Sequence, residues 1–297
     1  MRWLACLLVA CSAPQPPAAS PAQPHAVPSN AKPEVREGDR KHVVDSHVHL
    51  AFYPVADKLA QHGVDAVVDL ASPEWALGKK YPLLVIQSGP MLTRPRGYPL
   101  DSWGADGYGI GCGKSACVKQ AIDRLVKQGA RVIKIALDDK GLDPKLAQVA
   151  VSYAHSLNLK VAVHALTDAS ARVAADIHAD VLAHTPVEPL SGDTVAAWKR
   201  EAQTGLPAVL STLAAFGGSD DAIGNLQRLR AAGVTVLYGT DLGNVRVDGP
   251  SQEEIALLKR AGLDDQAIET AMTTAPWDFW GFSGLVAVPA GKTTDSR

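Results

Sequence analysis

The chain has 297 residues, of which 46% are hydrophobic and 20% charged, and a formal net charge of −2. That balance, with no basic tract, argues against nucleic acid as a partner. It leaves enough apolar material for one large core, and a domain of roughly 250 residues is the usual size of a single α/β barrel.

The first segment, residues 1–11 ("MRWLACLLVAC"), has one basic residue and then an apolar run from Trp3 to Ala10. It is too short to span a membrane as a stable helix and reads as a secretory signal. Leu8-Val9-Ala10-Cys11 is similar to the bacterial lipobox. A lipobox implies cleavage before Cys11, a lipid anchor on that thiol, and an exported lipoprotein facing the periplasm or cell surface; an ordinary signal cleaved elsewhere is the alternative. Residues 12–41 are rich in Pro, Ala, Ser and Gln, a composition that buries little apolar surface and predicts a disordered tether. His25 lies in that tether and is read as inert.

From residue 42 short apolar runs alternate with amphipathic stretches, the beat of repeated βα units and a parallel sheet. The predicted strands are "HVVDSHV", "VDAVVDLA", "PLLVIQS", "RVIKIAL", "KVAVHA", "DVLAHT", "PAVLST" and "VTVLYGTD". Helical patterns between them include "VKQAIDRLVKQG", "PKLAQVAVSYAHSLN" and "DAIGNLQRLRAAG", and "SQEEIALLKRAG" and "DDQAIETAMTTAP" follow the last strand. Eight βα units predict a (β/α)₈ barrel over residues 42–285, followed by a tail, 286–297. An open doubly wound sheet is the competing fold, but no Gly-rich phosphate turn follows the first strand.

After the third strand comes the longest loop, "SGPMLTRPRGYPLDSWGADGYGIGCG", expected to cover the mouth of the barrel. It presents Arg94 and Arg96, together with Tyr98, as candidates for substrate binding, since a guanidinium can grip a carboxylate with two hydrogen bonds. Solvated arginines on a lid are the bland alternative. Cys112 and Cys117 lie at its end, where a loop-closing disulfide and two free thiols are both open.

In barrels of this kind the working residues sit at the C-terminal strand ends. Strand one ends with His47 and His49, strand five with His164, strand six with His184 and strand eight with Asp241. Side chains two apart on a strand share a face, so His47 and His49 can reach one metal ion. Four of the nine histidines occupy strand ends, which favours metal binding over an ordinary buried polar pair. Lys134, flanked by Val132, Ile133, Ile135 and Ala136, is poorly solvated, which favours a neutral amine. Such an amine can form a Schiff base or capture CO₂ as a carbamate; the surrounding imidazoles favour the carbamate. Asp45 shares the parity of His47 and His49 and is either an acceptor for an imidazole N–H or a turn-forming carboxylate.

This set, His47-x-His49, Lys134, His164, His184 and Asp241, resembles the amidohydrolase superfamily in its binuclear, carboxylated-lysine form. "GARVIKIA", "ADVLAHT", "VLYGTDLG" and "EEIALLKRAGLDDQAIETAMTTAP" are similar to its imidazolonepropionase-related branch, which includes metal-dependent dipeptidases. The resemblance implies two divalent metal ions, of which zinc suits the donor set. One would lie on His47, His49 and Asp241 and the other on His164 and His184, bridged by carboxylated Lys134 and a hydroxide. Asp241 would then shuttle the proton from the attacking hydroxide to the leaving nitrogen.

It also implies hydrolysis of an amide or peptide-like C–N bond in a small molecule such as a dipeptide, an N-acyl amino acid or a cyclic amide. A lactonase or phosphoesterase on the same centre, and a surface-anchored binding module without catalysis, are the competing functions. The small β-sandwich of relatives is expected to be reduced or absent here, and "DGPSQEE" lacks a histidine common at that place. The sequence leaves a homo-oligomer open.

Overall fold

The computed structural model describes residues 41–138 and 140–285. The signal, Cys11, the tail and all but the end of the tether lie outside them. All eight expected strands form: β1 (Val44–Val48), β2 (Ala66–Asp69), β3 (Leu84–Gln87), β6 (Val132–Ala136), β7 (Lys160–His164), β8 (Val181–Leu182), β9 (Ala208–Leu210) and β10 (Thr235–Leu237). The segment expected to be a loop contributes two more, β4 (Met91–Thr93) and β5 (Gly109–Gly111). Every pairing is parallel.

The ladders make two sheets, β1-β2-β3 and β10-β9-β8-β7-β6-β4-β5, rather than one closed ring. At one seam β4 occupies the edge of β6, and β3 meets the start of β6 through Arg131 N–H donating to Gln87 O at 2.9 Å. At the other, the chain beyond β10 departs from regular strand geometry. There Ser46 N–H donates to Tyr238 O at 2.9 Å, Asp241 N–H to His47 O at 2.9 Å, and His49 N–H to Leu242 O at 2.7 Å.

Strands β1, β2 and β6 are buried at every position, as strands covered on both faces must be, and their β-branched content suits that environment. Helices α1 (Ala56–Gln61), α2 (Ser115–Lys127), α3 (Pro144–Ser156), α4 (Asp168–Asp176), α5 (Gly192–Thr204), α6 (Asp220–Ala231) and α7 (Gln252–Arg260) alternate with the strands or follow them. Their starts are set by side chains. Asp143 caps α3 with Pro144 in its first turn, Thr167 and Ser170 form a reciprocal capping box on α4, and Ser191, Ser219 and Ser251 cap α5, α6 and α7.

The single last helix read from the sequence is two, α8 (Asp265–Met272) and α9 (Thr274–Trp280). Pro276 explains the break: it lacks an N–H and its ring opposes the carbonyl four residues earlier. Cys112 and Cys117 form a disulfide, with 5.5 Å between their Cα atoms, tying the end of β5 to the first turn of α2. Among the described residues no helix is long and apolar enough to cross a membrane.

Candidate metal centre

The parallel strands bring their C-terminal ends to one cavity of about 360 Å³, lined among others by His47, His49, Lys134, His164, His184, Asp241 and Tyr98. Its floor comes from four strands and the turn after a fifth. His47 and His49 project from the end of β1, Lys134 from the middle of β6, His164 from the last position of β7, and His184 from two residues beyond β8. Asp241 follows β10 with a left-handed backbone, φ 59°, a strained geometry for a non-glycine residue of the kind that collects at functional sites. The turn continues into Gly243 at φ +117°, where an added Cβ would come within 2.9 Å of His49 Cβ. Only glycine lets this turn pack against the histidine strand.

Hydrogen bonds orient each ring. His47 Nδ1 donates to Ala183 O at 2.8 Å, so the lone pair of a neutral His47 sits on Nε2, which has no hydrogen-bond partner although buried. His164 Nε2 lies 3.2 Å from the Asp138 carboxylate, and His164 Nδ1 is buried and without a partner. His49 Nε2 donates to Asp241 Oδ1 at 2.9 Å, and His49 Nδ1 is again unpartnered. His184 Nδ1 pairs with Thr212 Oγ1 at 3.1 Å. Thr212 also has a left-handed backbone, φ 38°. Ring centroids of His47 and His184 are 4.6 Å apart, and those of His164 and His184 are 4.9 Å apart.

Electrostatics follow from burial. Desolvation, with Lys134 nearby, pushes His47 well below the ordinary imidazole range, and desolvation with His47 nearby does the same to His184. Burial thus favours the neutral ring, the form that offers a lone pair. Burial by itself would raise Asp241, but His47, the hydrogen bond from His49 and His184 hold it well below the usual carboxylate range. Lys134 is 1% exposed and its Nζ has no hydrogen-bond partner; burial brings it down to about 7.

Such a set of buried nitrogens would be costly without a compensating charge. It fits divalent cations, which imidazole and carboxylate ligate well. The ligand atoms of His47, His49 and Asp241 all lie within 4.8 Å of one another.

Chains of this fold have been solved before. The present chain superimposes on a Xaa-Pro dipeptidase with bound methionine in its active site, with a TM-score of 0.64 at 15% identity, covering 82% of this chain and 76% of that one. It superimposes on an amidohydrolase with a TM-score of 0.63 at 16% identity, covering 82% and 75%. An Aspergillus niger ochratoxinase gives a TM-score of 0.64 at 19% identity, covering 81% and 71%. The chain shares its fold with these solved structures. In sequence the chain matches no family model and no curated protein.

Within this fold the sequence-predicted residues divide in two. His47, His49, Lys134, His164, His184, Asp241 and Tyr98 line the cavity together. Arg94 and Arg96 do not: both are exposed, and Arg94 lines a neighbouring hollow with Asp138 and Ser170. Asp45 contacts no imidazole. It accepts from the backbone N–H of His47 at 3.1 Å and of Thr240 at 3.0 Å, and from Thr240 Oγ1 at 2.6 Å, so it fastens β1 to the turn after β10.

Three contributors went unread in the sequence. Asp138 and Thr212 orient His164 and His184, and Asn244 Nδ2 donates to both Asp241 oxygens at 3.1 Å. The signal for Asp138 was its place two residues beyond β6, an acid at a strand end. Thr212 and Asn244 carried no comparable sign.

Proposed function

We propose that this chain is a metal-dependent hydrolase of an amide or peptide-like C–N bond in a small molecule. The observation that carries the reading is the set of buried, unpartnered nitrogens on His47, His49, His164 and Lys134, residues that line one cavity together with Asp241. In this reading the two sheets are the wall of a (β/α)₈ barrel, supported by the backbone hydrogen bonds at both seams. His47, His49 and Asp241 would hold one divalent ion, His164 and His184 a second, with Lys134 as its carbamate between them. When bound, such ions lower the pKa of water and polarise the scissile carbonyl.

The chain's own residues do the rest. Lys134, near 7 by burial, has a substantial neutral fraction at physiological pH; that amine adds to CO₂ and releases one proton, leaving an anionic carbamate. Asp241 is ionised at neutral pH and serves as the base, taking a proton on a carboxylate oxygen and returning it to the leaving nitrogen. Asn244 holds both Asp241 oxygens and so restricts the direction in which they accept it. The choice of an amide over other electrophiles is supported by the peptidase activity named for one structural neighbour. On the strength of Leu8-Val9-Ala10-Cys11, we also propose that the enzyme is exported and held at a membrane by a lipid on Cys11.

A panel of uncharged amides, dipeptides, lactones and phosphate esters tests the reading. Turnover of amides or dipeptides that is lost on chelation and restored by zinc with bicarbonate is expected. Hydrolysis that survives complete chelation, or faster turnover of lactones or phosphate esters, would overturn it.

A further inference from the structure

The cavity has two unlike halves. Its histidines, Lys134 and Asp241, together with Asn244, make up the floor, whereas the wall consists of Met91, Tyr98, Trp103, Leu166, Ala215 and Phe216. Three aromatic rings of that wall lean directly on the histidines. Tyr98 stacks on His164 with 4.6 Å between centroids, Trp103 meets His49 edge-on at 5.7 Å, and Phe216 meets His184 edge-on at 5.0 Å. The polar tips of two of these rings are turned to each other: Trp103 Nε1 donates to Tyr98 Oη at 3.2 Å. The indole N–H is therefore spent within the wall.

Phe52 continues the cluster outward, 6.1 Å from Trp103 and 6.3 Å from Tyr108, and is 50% exposed. A large apolar side chain left half in water beside a cavity gains by being covered. Among the described residues lining the cavity Lys134 is the only Lys or Arg, and it belongs to the floor.

We infer that the substrate places an uncharged aromatic or bulky apolar group against Tyr98, Trp103 and Phe216, with its scissile amide over the histidine floor. This rests on the hydrolase reading above and adds the class of group that flanks the bond. The wall supplies area and ring edges, which favour flat apolar partners. An anionic flanking group lying on this wall would lose its hydration with no Lys or Arg of the wall to meet it. Recognition of a substrate carboxylate by Arg94 or Arg96 would have to occur outside this cavity.

The test uses phenylacetyl, acetyl and succinyl amides of one small uncharged amine. Affinity is measured by calorimetry and turnover by release of the amine, for the metal-loaded wild type and for Trp103→Ala and Trp103→Phe. The phenylacetyl amide should bind at least tenfold tighter than the acetyl amide, with the succinyl amide weakest. Trp103→Ala should remove most of that preference, the phenylacetyl amide losing at least fivefold more affinity than the acetyl amide, and Trp103→Phe should keep it. Equal or tighter binding of the succinyl amide, or an equal loss on all three ligands in Trp103→Ala, would overturn the inference. Preferential, Trp103-dependent binding of the phenylacetyl amide without turnover would uphold it and count against the hydrolase reading alone.

Discussion

Replacing Asp138 probes how the floor is organised without touching a residue placed on a metal. Its carboxylate lies 3.2 Å from His164 Nε2 and accepts from Ser170 Oγ at 2.6 Å and from Leu166 N–H at 3.0 Å. The last two belong to the capped start of α4, so one side chain ties a ring of the floor to a helix terminus. Burial would raise Asp138, but His164, Ser170 and the Leu166 N–H bring it below the ordinary carboxylate value, so these are charge-assisted contacts. Such a bond contributes about 1.5–3 kcal/mol net, and water can replace part of it at a side chain 21% exposed.

Asp138→Ala should therefore cost about 2–4 kcal/mol in urea unfolding of the metal-free protein. Asp138→Asn retains one acceptor oxygen and should lose about half as much. With the His164 tautomer no longer fixed, zinc affinity by competition with a chromophoric chelator should fall about 10- to 100-fold. An Asp138→Ala protein that unfolds within about 0.5 kcal/mol of wild type and binds zinc equally well would refute the assignment.

Other consequences are as direct. In metal-free protein burial lowers Lys134 from 10.5 to about 7, so its folded form favours the neutral amine; stability is intact above pH 10.5 and declines as pH falls toward 7. Lys134→Met removes that penalty, and in chelator its advantage over wild type should widen from about 2 kcal/mol at pH 9 to about 4 kcal/mol at pH 7. Comparison at each pH cancels the opposite trends of Asp45 and Asp69, raised by burial to about 7 and about 6; a gap that does not change with pH would contradict this account of Lys134. Reducing the Cys112–Cys117 disulfide reopens a loop only five residues apart in sequence, so Cys117→Ser should lower stability by roughly 2 kcal/mol, and an unchanged denaturation midpoint would show that the crosslink does not restrain the unfolded chain. Expressed with its own signal in a Gram-negative host, the protein should fractionate with membranes and Cys11→Ser should release it; a wild type found wholly in the soluble periplasmic fraction would exclude the anchor.

Most of the floor was legible because strand ends are visible in sequence. "VVDSHVHL", "VIKIAL", "KVAVHA" and "VLYGTD" each announce a strand by its apolar run, and parallel pairing then collects their ends. The residues that orient the floor were not legible, since their contacts cross the fold: 28 positions separate His184 from Thr212, and 136 separate His47 from Ala183. β4 and β5 escaped notice because three-residue strands among Gly and Pro carry no period of their own. Arg94 and Arg96 looked like a clamp because they lie two residues apart, but spacing without a regular strand fixes no common direction. Arg96 in fact adopts φ 61°, outside the extended geometry that would have aligned them.

Metal content by mass spectrometry, on protein purified with zinc and bicarbonate, tests the central claim most directly. Wild type should carry close to two ions per chain by the donor set of His47, His49, Lys134, His164, His184 and Asp241, and Lys134→Ala should carry fewer and lose nearly all hydrolysis. A single tightly held ion, unchanged in Lys134→Ala, would contradict the two-ion account.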